Sequence, residues 1–214
     1  MMEIMVDDIC KIIRGKIILD HVSLNMTGGK IYGFVGSNGS GKTMLFRAVA
    51  GLMRVDSGRI VCNGQVLHRD IEILPDLGIS LENAGLYPEL SGMDNLKLLA
   101  GINHKINDEQ IRNAILRVGL EPDNKKSFRK YSLGMKQRLV IAQAIMEEPK
   151  ILILDEPTNA LDSGGVDLVR EIVMQEKEAG TLVMIASHNK EDIRLLADEI
   201  YYMSEGKISR GDAE

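Results

Sequence analysis

Apolar runs punctuate this chain, and what stands at their ends sets the reading. Ile31-Tyr32-Gly33-Phe34-Val35 is short, apolar and partly β-branched, so it predicts a buried strand. Ile151-Leu152-Ile153-Leu154 has no alternation, which predicts a strand covered on both faces of a parallel sheet. Thr181-Leu182-Val183-Met184-Ile185-Ala186 predicts a third apolar strand, ending in Ser187-His188. Helical spacing lies between them. Met44 to Ala50 predicts a helix closed by Gly51. Ile111, Ala114, Ile115 and Val118 form one apolar stripe ended by Gly119. Leu139, Ala142 and Ile145-Met146 keep a three-to-four residue spacing in a helix reaching about Met146, with Ser132 able to cap its start.

The ends of two runs carry chemistry. After the first comes Gly36-Ser37-Asn38-Gly39-Ser40-Gly41-Lys42-Thr43, which fits the phosphate-loop pattern G-x-x-x-x-G-K-[ST], with Met44 beginning the helix proper. A strand, a glycine loop and a helix start aim backbone N–H groups and the positive helix end at one point. In that pattern Lys42 reaches the β- and γ-phosphates of a nucleotide and the Thr43 hydroxyl ligates Mg²⁺. The second run is followed by Asp155-Glu156-Pro157-Thr158, two acids at the carboxyl edge of a parallel sheet, where ligands bind. Strand alternation predicts that their side chains diverge and do different work. Asp155 suits Mg²⁺, and Glu156 suits the attacking water.

Bulk composition narrows the class. The chain has 214 residues, 44% of them hydrophobic, enough for one large domain or a domain with a lobe. A net charge of −5 argues against nucleic acid as the main partner. Cys10 and Cys62 lie outside any C-x-x-C pattern and read as reduced thiols. The start Met1-Met2-Glu3 has no basic leader segment, and no run approaches the ~20 apolar residues of a spanning helix. The expectation is a soluble chain whose membrane role needs a partner. Lys125, Lys126, Arg129 and Lys130 read as a solvated loop.

Further motifs complete an ordered set: Tyr131-Ser132-Leu133-Gly134-Met135-Lys136-Gln137-Arg138 upstream of the acids, Asn159-Ala160-Leu161-Asp162 directly after them, and Ser187-His188 downstream. This set resembles the ATP-binding subunit of ABC transporters, from about Ile4 to Ile208. The resemblance implies an α/β phosphate-loop NTPase fold with a parallel core sheet, an N-terminal antiparallel β subdomain (about Ile4 to Met26 and Arg59 to Leu67) and a helical subdomain. The ATP-binding lobe would take residues 1–81 and 149–214, and the helical lobe 82–148. It implies ATP and Mg²⁺ as ligands, Asp155 as the Mg²⁺ acid, Glu156 as general base and His188 as a γ-phosphate contact. Ser132 and Gly134 would touch ATP held by a second ATPase chain, like or related, so that two chains sandwich two nucleotides head to tail. Residues 159–162 would couple the two sites. A separate transmembrane permease subunit is implied, with this chain cytoplasmic on the inner membrane face.

Three positions depart from the family pattern. Ile13 stands where an aromatic residue usually stacks on adenine, and an aliphatic side chain supplies no π-face. Glu82 stands where the family places a glutamine near the metal; a carboxylate can still ligate Mg²⁺. Leu133 and Met135 replace the usual glycine and glutamine of the signature while Ser132 and Gly134 are kept. That form resembles a subgroup associated with drug, bacteriocin and lantibiotic export. Leu86 and Tyr87 fall where the family docks its membrane subunit, either exposed at that interface or packed inside the lobe. Two other functions remain open at this point: a soluble ATPase switch acting on nucleic acid or translation, and a regulatory ATPase on a membrane partner that moves no solute.

Overall fold

The computed structural model describes residues 2–81, 85–188 and 190–211. Two sheets are built from strands β1 (Glu3–Ile13), β2 (Lys16–Thr27), β3 (Ile31–Val35), β4 (Ser57–Cys62), β5 (Gln65–Val66), β6 (Leu77–Ser80), β7 (Ile151–Asp155), β8 (Leu182–Ser187), β9 (Glu199–Ser204) and β10 (Lys207–Arg210). The first is antiparallel, in the order β2-β1-β4-β5. The second runs β10-β9-β3-β8-β7-β6 and is parallel from β9 to β6, with β10 folded back antiparallel on β9. Helix α1 (Lys42–Ala50) follows β3; α2 (Gly92–Asn103), α3 (Asp108–Arg117) and α4 (Leu133–Ile145) lie between β6 and β7; α5 (Ser163–Glu178) joins β7 to β8, and α6 (Lys190–Leu196) joins β8 to β9.

The apolar runs are strands because both of their faces are buried. Along β7, Leu152 and Leu154 join one core with α2 to α6, while Ile151 and Ile153 join a second core with α1 and the antiparallel sheet. β3 divides the same way, Ile31 and Val35 to one side and Tyr32 and Phe34 to the other. A strand that feeds two cores cannot alternate apolar with polar residues. Phe34 also fixes the ends of the phosphate loop relative to each other. Its ring meets Phe46 of α1 edge-on at 5.2 Å and stacks on Tyr201 of β9 at 5.6 Å. Each such pair contributes about 0.5–1.5 kcal/mol beyond area burial.

The helix signals behave as their chemistry requires. Ser132 accepts the Met135 N–H at 3.2 Å and starts α4. Gly51 closes α1 in a left-handed conformation, its N–H turned back to the Ala48 carbonyl. The stripe of Ile111, Ala114 and Ile115 is the buried face of α3. The hairpins turn tightly: Arg14-Gly15, Asn63-Gly64 and Glu205-Gly206 each take two left-handed residues in succession, the geometry that matches strand twist. Of the ambiguous pair, Leu86 is buried and Tyr87 is 56% exposed. The buried amide of Asn95 holds the backbone there, accepting the Tyr87 N–H at 2.7 Å and donating to the Tyr87 and Ser91 carbonyls. No helix among the described residues is long and apolar enough to cross a membrane.

Candidate functional site

Sheet order creates the site. β8 is inserted between β3 and β7, so the carboxyl ends of three neighbouring strands release the phosphate loop, His188 and the two acids at one edge. The loop itself is tightly held. A Cβ at Gly36 would lie 2.4 Å from the Met203 carbonyl oxygen and 2.6 Å from Ser40 Oγ, so only glycine fits. Gly41 caps α1 with φ 110°, a conformation that a side chain would strain. Lys42 is buried to 6% exposure, and its ammonium donates to the Gly36 carbonyl at 2.7 Å and the Ser37 carbonyl at 3.3 Å. Ser40 is buried as well, and its Oγ has no hydrogen-bond partner. A buried hydroxyl left in this state wants an acceptor or donor from a ligand. Residues 41–44 open α1, where first-turn N–H groups lack partners within the helix.

Asp155 and Glu156 reach different partners by a route that strand alternation did not predict. β7 stops at Asp155, which is 7% exposed and accepts the Thr43 hydroxyl through Oδ2 at 2.5 Å. Two hard oxygen donors so placed suit a divalent cation of the Mg²⁺ kind. Glu156 then leaves the strand altogether, at φ 51°. Left-handed backbone at a non-glycine residue costs about 1–3 kcal/mol and persists only where its surroundings hold it. Here the Glu156 N–H donates to the Ala186 carbonyl of β8 at 2.9 Å. Its Oε2 meets His188 Nδ1 at 2.8 Å and accepts the His188 N–H at 3.3 Å. Its Oε1 is buried with no hydrogen-bond partner. One carboxylate oxygen is therefore clamped, and the other is left for a proton donor.

The remaining expected residues lie elsewhere in the chain. Ser132 is exposed and Leu133 is 71% exposed, so the signature faces outward. Gly134 packs beside the turn after the acids, where an added Cβ would meet the Ala160 carbonyl oxygen at 3.1 Å. That turn has its own strain at Ala160, φ 63°, and ends at Asp162, which caps α5 by accepting the Gly165 N–H at 2.9 Å. Ile13 stands at the end of β1, 37% exposed, on the hairpin to β2. Glu82 lies outside the described residues. Gln137 was missed: its amide donates to the Pro157 carbonyl at 3.2 Å and ties the signature helix to the loop behind the acids. It lies within the signature motif, but its contact with Pro157 spans 20 residues and no local pattern points to it.

A family model described as ABC transporter matches residues 19–159. The chain belongs to the ABC transporter family. The uncharacterized ABC transporter ATP-binding protein YybJ of Bacillus subtilis (strain 168) is 46% identical over 205 residues, covering 96% of this chain and 94% of that protein. The lantibiotic transport ATP-binding protein SrtF of Streptococcus pyogenes is 39% identical over 191 residues, covering 89% and 82%. A solved structure, the dimeric MJ0796 bacterial ABC transporter cassette, superposes with a TM-score of 0.88 over 99% of both chains at 20% identity, which speaks for the fold. This ABC cassette is thus an ATP-binding, ATP-hydrolysing subunit, and the strand-end edge is where its phosphate loop and acids meet.

Proposed function

We propose that this chain hydrolyses ATP as one of a pair of cassettes and energises export of a drug-like or bacteriocin-like cargo through a separate membrane subunit, on whose cytoplasmic face it sits. The observation that carries the catalytic part is the Glu156 carboxylate, clamped through Oε2 by His188 and unpartnered at Oε1. The phosphate loop, residues 36–44, binds the triphosphate, with Lys42 turning from its carbonyl partners to the β- and γ-phosphates. Thr43 and Asp155 would hold Mg²⁺, which would supply charge neutralisation at the phosphates. Glu156 accepts the proton of the attacking water at Oε1. Water oxygen bonds to the γ-phosphorus, the bond to the β-phosphate oxygen breaks, and ADP leaves with phosphate. His188 keeps the carboxylate aimed and reaches the γ-phosphate side.

Pairing is supported by the exposed signature. Ser132 and Gly134 present a helix start, an anion site, to the outside, where a second chain would bring its nucleotide. Residues 82–148 act as the helical lobe that contacts the membrane subunit, and the exposed Tyr87, on a backbone fixed by Asn95, suits an interface anchor. The likeness to a lantibiotic transport protein, together with the Ser132 to Met135 form of the signature, supports export and favours it over a switch on nucleic acid. An affinity pull-down of the tagged chain from detergent-solubilised membranes of its source cell, read by mass spectrometry, tests this. A stoichiometric multi-spanning partner is expected; recovery of the chain without one would refute the transporter reading.

A further inference from the structure

One group of mixed donors lies apart from the strand-end edge. Cys10, Asp20 and His21 offer one ligand atom each, all within 4.8 Å of one another, the one such cluster among the described residues. The β1–β2 ladder brings them together by being irregular. Its register shifts between Val6 and Ile9 and again between Ile9 and Lys11. Asp8 and His21 take left-handed φ of 50° and 52° at these shifts. Cys10 Sγ then accepts the His21 N–H at 3.3 Å, and Asp8 Oδ1 meets His21 Nδ1 at 2.8 Å.

We propose that Cys10, Asp20 and His21 form a binding site for a divalent transition metal of the zinc class. A thiolate, an imidazole and a carboxylate make a donor set of intermediate softness, suited to Zn²⁺ and unsuited to Mg²⁺ or Ca²⁺, which take oxygen alone. Three protein ligands and a water complete a tetrahedron. The Asp8 contact is the second feature that such sites carry: a carboxylate on one ring nitrogen orients the histidine and leaves the other nitrogen for the ion. In a formed site, sulfur and nitrogen ligands stand about 3.6 Å apart, from metal bonds of ~2.3 and ~2.1 Å at the tetrahedral angle. A joint movement of the His21 and Asp8 side chains, 71% and 64% exposed, closes the difference and keeps their contact. Lys207, 3.4 Å from Asp20 and itself 70% exposed, gives way to the cation. The ion would pin the bulged root of the hairpin that carries Ile13. It would also lie two hydrogen bonds from the phosphate loop, since the Asp20 N–H donates to the Gly206 carbonyl and the Gly206 N–H to the Ser40 carbonyl.

The test is a titration of the reduced, metal-free full chain with Co²⁺ under anaerobic conditions. The wild type is expected to bind one equivalent with a thiolate-to-Co²⁺ charge-transfer band in the near ultraviolet, bleached by Zn²⁺. Cys10→Ser loses the band. His21→Ala weakens binding ~10-fold or more, and Asp8→Asn weakens it ~10-fold while keeping the band. Cys62→Ser, at the other thiol, leaves it intact. Absence of the band in the wild type, or its survival in Cys10→Ser, overturns the proposal.

Discussion

Glu156→Gln is the most direct probe of the proposed chemistry. The substitution keeps shape and length, so the left-handed backbone at φ 51° and the N–H bond to Ala186 are retained at unchanged cost. The amide oxygen of glutamine takes the place of Oε2 against His188, which holds the carboxylate at 2.8 Å. The amide NH₂ then occupies the position of Oε1, the buried oxygen without a partner. A donor replaces an acceptor at the one atom positioned to take a proton from water. Loss of a general base removes ~10²–10⁴-fold of rate, which is about 2.7–5.4 kcal/mol on the barrier. Because the phosphate loop is untouched, ATP affinity is expected to stay within about twofold, a difference under ~0.5 kcal/mol. Phosphate release at saturating ATP measures the first quantity, and equilibrium binding of a fluorescent ATP analogue the second. Turnover within about threefold of wild type would refute the assignment, since no general base of that worth would then reside at Oε1. A loss of binding to match the loss of turnover would instead show that Glu156 holds the loop together.

The other expectations use different parts of the chain. Ser132→Arg adds a long cation at an exposed helix start; turnover is expected to be lost while ATP binding to the isolated monomer persists, and weakened monomer binding would place the signature in the chain's own site. Ile13→Tyr restores a π-face on the β1–β2 hairpin, and stacking of about 0.5–1.5 kcal/mol predicts a ~2–12-fold gain in ATP affinity by equilibrium binding, with GTP gaining less; unchanged affinity would remove Ile13 from the base site. Burial works against ionisation of Asp198, yet the Ile31 N–H and the Lys177 ammonium hold its pKa below the ordinary carboxylate value. A depressed carboxylate stabilises the fold above its unfolded pKa and loses that contribution as pH falls through the folded value. Urea unfolding should therefore show Asp198→Asn less stable than wild type at pH 7 and converging with it under acid; an equal gap at both would refute the linkage.

Much of the site could be read in one dimension because phosphate binding is a local act. A buried strand, eight loop residues and a helix start are contiguous, and their chemistry depends on spacing of a few residues along one backbone. The same holds for the acids: a run that feeds two cores must end at the sheet edge, and Asp155 is its last residue. Helix caps at Ser132 and Gly51 are likewise local, formed with residues three positions away.

What tertiary structure decided was everything that joins distant segments. Inserting β8 between β3 and β7 brought Thr43 to Asp155 across 112 residues and His188 to Glu156 across 32. Alternation predicted diverging acids, but the divergence comes from a left-handed turn at Glu156, sustained by β8 and beyond the reach of strand geometry. Gln137 reached Pro157 only after α4 had packed, and Cys10 met Asp20 and His21 only because the β1–β2 register slips on either side of Ile9. Local backbone preference sets which residues end a strand or start a helix. Which ends become neighbours is settled by how two hydrophobic cores close on opposite faces of one sheet, a cooperative burial that no single segment encodes.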